Sequence, residues 1–285
     1  MIDARTRPVL LSAIFLLLCL GPACAWCARV AEIRLYSLDC GHAMFKDLSG
    51  FSDTGEYDGK SGEIAVPCFL IRHPKGDLLW DAGLGDHYNF PKEGTDVAPG
   101  VHVTVPVTLL AQLQSLGVAP KEVNFVAFSH LHWDHTGNAN DFPDSVWIMN
   151  KAELAWALVL PPPGGVLPET WSAYKSAKTE TIEGDYDVFG DGKVMILRAP
   201  GHTPGHQVLK LKLQKSGTVI LSGDLYHLRA DRIFRRVPVY NANRADTLAS
   251  MSRVESIIKH SGGRLIVQHD PRDFSLLPKP PAYLD

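Results

Sequence analysis

The stretch Phe125-Val-Ala-Phe-Ser-His-Leu-His-Trp-Asp-His-Thr-Gly137 constrains this chain more than any other. A mostly apolar run, Val123 to Phe128, fits a buried strand. It gives way to His130, His132, Asp134 and His135, four metal-capable side chains within six positions. Residues two apart in an extended segment point the same way, so His130 and His132 can grip one cation. Asp134 and His135 follow where the chain turns, and can face a second. Imidazole and carboxylate donors without thiolate suit zinc, and also iron(II), manganese or cobalt. Structural zinc sites are usually rich in Cys, and this cluster has none. The bland alternative is a polar loop that collects histidines by chance, and the density of ligands argues against it.

The chain has 285 residues, enough for one large domain or two small ones. No linker or shift of composition divides it, so residues 26–285 read as a single domain. A net charge of −3 gives no nucleic-acid footprint, which would need clustered Lys and Arg. Residues 1–25 read as a cleaved export signal: Arg5 and Arg7, the apolar run Val9 to Leu20, a Gly21-Pro22 break, and a small-residue site at Ala23-Cys24-Ala25. The run is too short to span a bilayer comfortably. Uncleaved, it would be an N-terminal membrane anchor; cleaved, it leaves no membrane span and a periplasmic or extracellular protein. Of five Cys, Cys27, Cys40 and Cys68 then remain. Export permits a disulfide, and Cys40 with Cys68 is the pair to test, against the alternative of ordinary small residues. The oligomeric state stays open, a homodimer included.

In chain order, 31–38 alternates as a strand, and 39–62 reads as a long Gly-, Asp- and Ser-rich loop. Strands are expected at 64–72 and 78–80, joined by the turn Pro74-Lys75-Gly76-Asp77. Residues 87–105 show no clear period and suit a lid. A helix is expected over 107–117, then the metal strand, a short strand at 145–149, and a helix at 151–160 stopped by Pro161-Pro162-Pro163. Trp156, Trp171 and Tyr174 are candidates for an apolar substrate pocket, or for plain packing. Strands follow at 194–198, 208–213 and 218–221. An amphipathic helix spans 248–260, and a last strand spans 265–267.

His130-Leu-His132-Trp-Asp134-His135 resembles the His-x-His-x-Asp-His signature of the metallo-β-lactamase superfamily, and its partners follow in order. These are Asp81-Ala-Gly83, Gly201-His202-Thr-Pro-Gly205-His206, Gly223-Asp224 and His269. The resemblance implies an α/β fold, a metallo-β-lactamase-like αββα sandwich of two mixed β-sheets face to face with helices outside. It implies two divalent cations per chain, zinc first, with iron, manganese or cobalt as alternatives. His130, His132 and His202 would hold one cation, Asp134, His135 and His269 the other, and Asp224 would bridge. Asp81 and His206 would support the ligands from behind.

Among superfamily members, the residues resemble N-acyl homoserine lactonases, through Glu183-Gly-Asp-Tyr186, His202-Thr-Pro-Gly-His-Gln207 and Gln268-His-Asp270. Zinc β-lactamases generally lack the bridging Asp. The implied reaction opens a lactone ring by attack of a water activated between the cations, with Asp134 among the catalytic groups. Other ester-like substrates (a thioester, an organophosphate or a β-lactam) form the alternative, and a non-catalytic metal module is a third reading. One departure stands out. The lactonases carry a Tyr three residues after the bridging Asp, where it steadies the oxyanion. Here that position is His227, and Tyr226 comes one earlier, so either is the expected donor.

Overall fold

The computed structural model describes Met1 and residues 30–285. Residues 2–29, which hold the rest of the expected export signal with Cys19 and Cys24 and also Cys27 beyond it, lie outside the described residues. Thirteen strands form two sheets among the described residues. The first holds β1 (Arg34–Phe45), β2 (Gly62–His73), β3 (Gly76–Trp80), β4 (Thr95–Ala98), β5 (Val101–Thr104), β6 (Phe125–Ala127), β7 (Val146–Asn150) and β8 (Thr179–Ile182). The second holds β9 (Tyr186–Asp187), β10 (Val194–Arg198), β11 (Gln207–Leu213), β12 (Gly217–Leu221) and β13 (Arg264–Ile266). Six α-helices intervene among the described residues: α1 (Leu109–Ser115), α2 (Trp133–Thr136), α3 (Lys151–Ala157), α4 (Arg229–Phe234), α5 (Arg244–Ser261) and α6 (Pro271–Ser275).

The first sheet runs β4-β5-β1-β2-β3-β6-β7-β8 and the second β13-β12-β11-β10-β9. Both are mixed. β3, β6, β7 and β8 pair in parallel, as do β12 and β13, while the remaining neighbours are antiparallel. Alternation along the strands explains the layering. Phe69, Ile71, Leu78 and Trp80 of the first sheet meet Leu209, Leu211, Val219 and Leu221 of the second in one core. The intervening residues Leu70, Leu79 and Val126 face outward onto Leu109 and Leu113 of α1. On the far side, Val208 and Ile220 pack against Met251, Val254 and Ile258 of α5. The result is the αββα sandwich expected from the sequence.

Four local expectations change. The first strand does not stop at Leu38. After an irregularity between Asp39 and His42 it runs on to Phe45, because His42 to Phe45 pair with both β2 and β5. Residues 87–105 are not a featureless lid, since β4 and β5 form an antiparallel hairpin on the sheet edge. One turn of helix, α2, carries Asp134 and His135, where the sequence suggested only a bend. Helix α5 begins earlier than expected, capped by the Asn243 side chain, which accepts from the Asp246 N–H. Cys40 and Cys68 form a disulfide between β1 and β2. Among the described residues, no helix is long and apolar enough to cross a membrane.

Candidate metal centre

The site lies at the strand ends of both sheets. β6 delivers His130 and His132 in the loop beyond it, and α2 presents Asp134 and His135. The β10–β11 turn carries His202, the end of β12 carries Asp224, and the end of β13 carries His269. Close approach fixes the backbone here. A Cβ on Gly137 would fall 2.1 Å from the Leu84 carbonyl carbon, so only Gly lets α2 seat against the loop after β3.

The seven side chains converge in two groups, His130, His132, His202 and Asp224 in one, and Asp134, His135 and His269 in the other. Within each group the ligand atoms lie within 4.8 Å of one another. Imidazole nitrogens face imidazole nitrogens: His130 Nε2 is 2.8 Å from His132 Nδ1, which is 3.1 Å from His202 Nε2, and His135 Nε2 is 3.2 Å from His269 Nε2. Lone pairs aimed at a common point repel unless a cation sits between them. Asp224 spans the two groups. Its Oδ2 is 3.6 Å from His130 Nε2 and 3.3 Å from His202 Nε2, while its Oδ1 is 3.1 Å from His135 Nε2 and 3.0 Å from His269 Nε2. Oδ1 is buried with no hydrogen-bond partner, as expected of an oxygen kept for a metal. The donor set therefore fits a pair of divalent cations.

Behind the ligands, His130, His135, His269 and Asp224 are each held by a further contact. Asp81 Oδ1 accepts the Ser129 N–H at 2.7 Å, and its Oδ2 lies 3.1 Å from His135 Nδ1. Ser129 Oγ reaches Nδ1 of both His130 and His135, at 3.0 and 3.2 Å. His269 Nδ1 donates to the Ala65 carbonyl at 2.6 Å. His206 is fully buried; its Nδ1 donates to Ala199 O at 3.0 Å, and its Nε2 accepts the Asp224 N–H at 2.9 Å. Gln268 Oε1 accepts from Gly223 N, and its amide donates to Asp81. Asp81 and His206 thus stand where the resemblance placed them, in supporting contacts.

Burial depresses the pKa of His132 and His206 to about 4 and pushes those of His130 and His202 well below the usual range. These rings are neutral at neutral pH, which leaves His130, His132 and His202 free to ligate. Burial opposes the charge on His135 and His269 too, but Asp224 with Asp134 overcomes it and raises both. Burial also works against the Asp224 carboxylate, yet the imidazoles of His269 and His135 hold its pKa well below the usual range.

An open cavity of about 570 Å³ reaches the cluster. Its walls are largely apolar, with Phe45, Phe51, Tyr88 and Trp133 among them, and Val97 and Val101 come from the β4–β5 hairpin. Asp134, Asp224, His227 and His269 lie at its floor. His227 Nε2 is 3.0 Å from Asp224 Oδ2.

Tyr226 is not brought to the cavity. It is buried in the core under α5, and its hydroxyl donates to Glu255 Oε1 at 3.2 Å. The chain direction at the end of β12 sends adjacent side chains to opposite sides, and His227 takes the inner one. Trp171 and Tyr174 also pack away from the cavity, their rings 4.9 Å apart in the outer core of the first sheet. Trp156 lies edge-on to His132, with ring centroids 5.9 Å apart. Tyr240, which belongs to none of the sequence motifs, lines the cavity with its ring edge-on to Phe51, His202 and His227. Nothing in the sequence near Tyr240 repeats a ligand pattern, so only the fold reveals it.

The metallo-beta-lactamase superfamily profile matches residues 61–269, a span that contains all seven converging ligands. The chain belongs to that superfamily. Among similar curated proteins, N-acyl homoserine lactonase AttM of Azorhizobium caulinodans is 31% identical over 273 residues, covering 90% of this chain and 100% of the relative. The AttM protein of Rhizobium johnstonii is 31% identical over 271 residues, covering 89% of this chain and 99% of the relative. Among solved structures, an N-acyl homoserine lactone hydrolase with N-hexanoyl-L-homoserine at its catalytic metal centre matches with a TM-score of 0.76 at 26% identity. That match covers 89% of this chain and 100% of the other.

Proposed function

We propose that this superfamily member is a two-cation hydrolase that opens the ring of N-acyl homoserine lactones. The observation that carries the reading is Asp224, set with one carboxylate oxygen toward each ligand group. The similar curated proteins are named for this activity, and a largely apolar cavity beside the cluster suits an acyl chain. His130, His132, His202, Asp134, His135, His269 and Asp224 would hold two divalent cations, zinc on this reading, which would lower the pKa of a bound water towards ~7 and polarise the substrate carbonyl.

The protein's own groups do the rest. Asp134, at the cavity floor, offers the carboxylate oxygen not turned toward His135 and His269 to pass a proton between the water and the leaving ring oxygen. Water adds to the carbonyl carbon, the ring C–O bond breaks, and the freed alkoxide takes up a proton to give an N-acyl homoserine. His227 Nε2 and the Tyr240 hydroxyl belong to the same cavity wall. They are the donors for the carbonyl oxygen as charge develops on it. Residues 26–285 act as the exported domain, a reading supported by the N-terminal sequence and the Cys40–Cys68 disulfide.

The test is a substrate panel: N-hexanoyl- and N-decanoyl-homoserine lactone, γ-butyrolactone, a thioester, an organophosphate triester and a β-lactam. Acyl homoserine lactones should lead, with kcat/KM rising about fourfold for each methylene that enters the cavity. A β-lactam or a thioester at the head of the panel would replace the lactone reading with the alternative substrate.

A further inference from the structure

Glu153 is a buried carboxylate with no ion-pair partner among the described residues, at only 3% exposure. Such a group is retained against a large desolvation penalty, so its contacts ought to show what it is for. It sits in the first turn of α3, where Asn150 caps the helix by accepting from Ala152 N and Glu153 N. A carboxylate at this position commonly bends back to the capping residue. Glu153 reaches outward instead. Its Oε1 accepts the Leu131 N–H at 2.9 Å, and its Oε2 accepts the Gly205 N–H at 3.0 Å.

Those two amides belong to different loops. Leu131 lies between His130 and His132, and Gly205 lies between His202 and His206. The helix and the second loop are also in direct contact. A Cβ on Gly205 would fall 2.3 Å from Glu153 N and 2.6 Å from Asn150 Oδ1. At their roots the loops already meet through Gln207 N–H and the Ser129 carbonyl, at 2.8 Å. Glu153 adds a second tie nearer the ligands.

We propose that Glu153 is a positioning residue for the three-histidine half of the metal centre, its two oxygens fixing the spacing between the loop of His130 and His132 and the loop of His202. Among the described residues, Glu153 hydrogen-bonds to the loops of the three-histidine half and acts on His135 only through charge, so the effect is selective. The inference rests on the cluster's holding cations, and not on the choice of lactone.

Glu153→Gln tests it. The amide keeps the shape and one acceptor, but its NH2 now faces a backbone N–H, so one of the two ties is lost. Purified protein is stripped and titrated with Co2+ and with Zn2+ against a competing chelator, and the melting temperature of the stripped protein is measured alongside. The variant should lose about 10–100-fold in affinity at one of two sites, the range for partners that orient metal ligands. The other site should stay at the wild-type value, and the Co2+ spectrum of only one site should change.

Glu153→Asp keeps the charge but is one methylene too short to span both amides, and should show the same selectivity. Ile258→Ala, a core truncation on the buried face of α5, lowers the melting temperature as a control and should leave both affinities alone. Wild-type affinity at both sites in either Glu153 variant overturns the proposal. Equal weakening of both sites does so too, as does weakening matched by Ile258→Ala at the same loss of melting temperature. Failure of the wild-type protein to bind any metal would instead reject the two-cation reading itself.

Discussion

Asp224 is surrounded by five imidazoles, and its neighbours show which side chains the chemistry can use. His227 and Tyr240 face the cavity, whereas Tyr226 is bonded to Glu255 under α5. Tyr240→Phe should therefore lower kcat about 100-fold, the scale for loss of one donor to a developing oxyanion, with metal content unchanged. Tyr226→Phe should leave kcat alone and lower stability by about 1 kcal/mol through its lost hydrogen bond. Steady-state kinetics and thermal melts on the two variants check both, and a Tyr226→Phe protein with the larger kcat loss would reverse the assignment. The metal ligands were legible in the sequence because their types and spacing carry the chemistry directly. The tyrosines were not. The direction of a side chain after the Gly223 turn, and the arrival of Tyr240 from a loop well downstream, depend on packing that spacing does not encode.

At the scale of elements, strand ends place the ligands and an edge hairpin shapes what binds. β4 and β5 give the cavity Val97 and Val101. Their segment has no clean alternation because the hairpin is short, lies on the sheet edge and is half-exposed, so the sequence suggested a lid where a strand pair stands. Continuous apolar runs served better where both faces of a strand are buried, as along Ile64–Ile71 of β2 and Val219–Leu221 of β12. Val101→Trp should fill part of the cavity. It should lower kcat/KM for N-decanoyl-homoserine lactone by more than about tenfold while changing the N-hexanoyl substrate less, since each methylene excluded forfeits roughly 0.8 kcal/mol. Equal losses for the two chain lengths would remove the hairpin from the acyl site.

The whole molecule buries several titratable groups around its metal centre, and one of them makes stability depend on pH in a definite sense. Burial raises Glu153 from 4.5 to about 7, against the Thr203 hydroxyl beside it and the hydrogen bonds from Leu131 and Gly205. Because the folded value lies above the unfolded one, its contribution is fully present below pH ~4.5 and is lost as pH rises through about 7. The swing is on the order of 3 kcal/mol in the stripped protein. Denaturant melts of stripped wild-type and Glu153→Gln protein between these limits should show the variant gaining on the wild type as pH rises; parallel curves would remove the effect.

The central claim is that seven side chains, scattered from His130 to His269, form one two-cation site that opens a lactone. Proton release on adding N-hexanoyl-homoserine lactone to protein of measured metal content tests it most directly, because ring opening frees a carboxylic acid. Protein with two cations per chain should release one proton per lactone consumed, and chelated protein should release none above the spontaneous rate. Lactone left intact by protein carrying both cations would contradict the account.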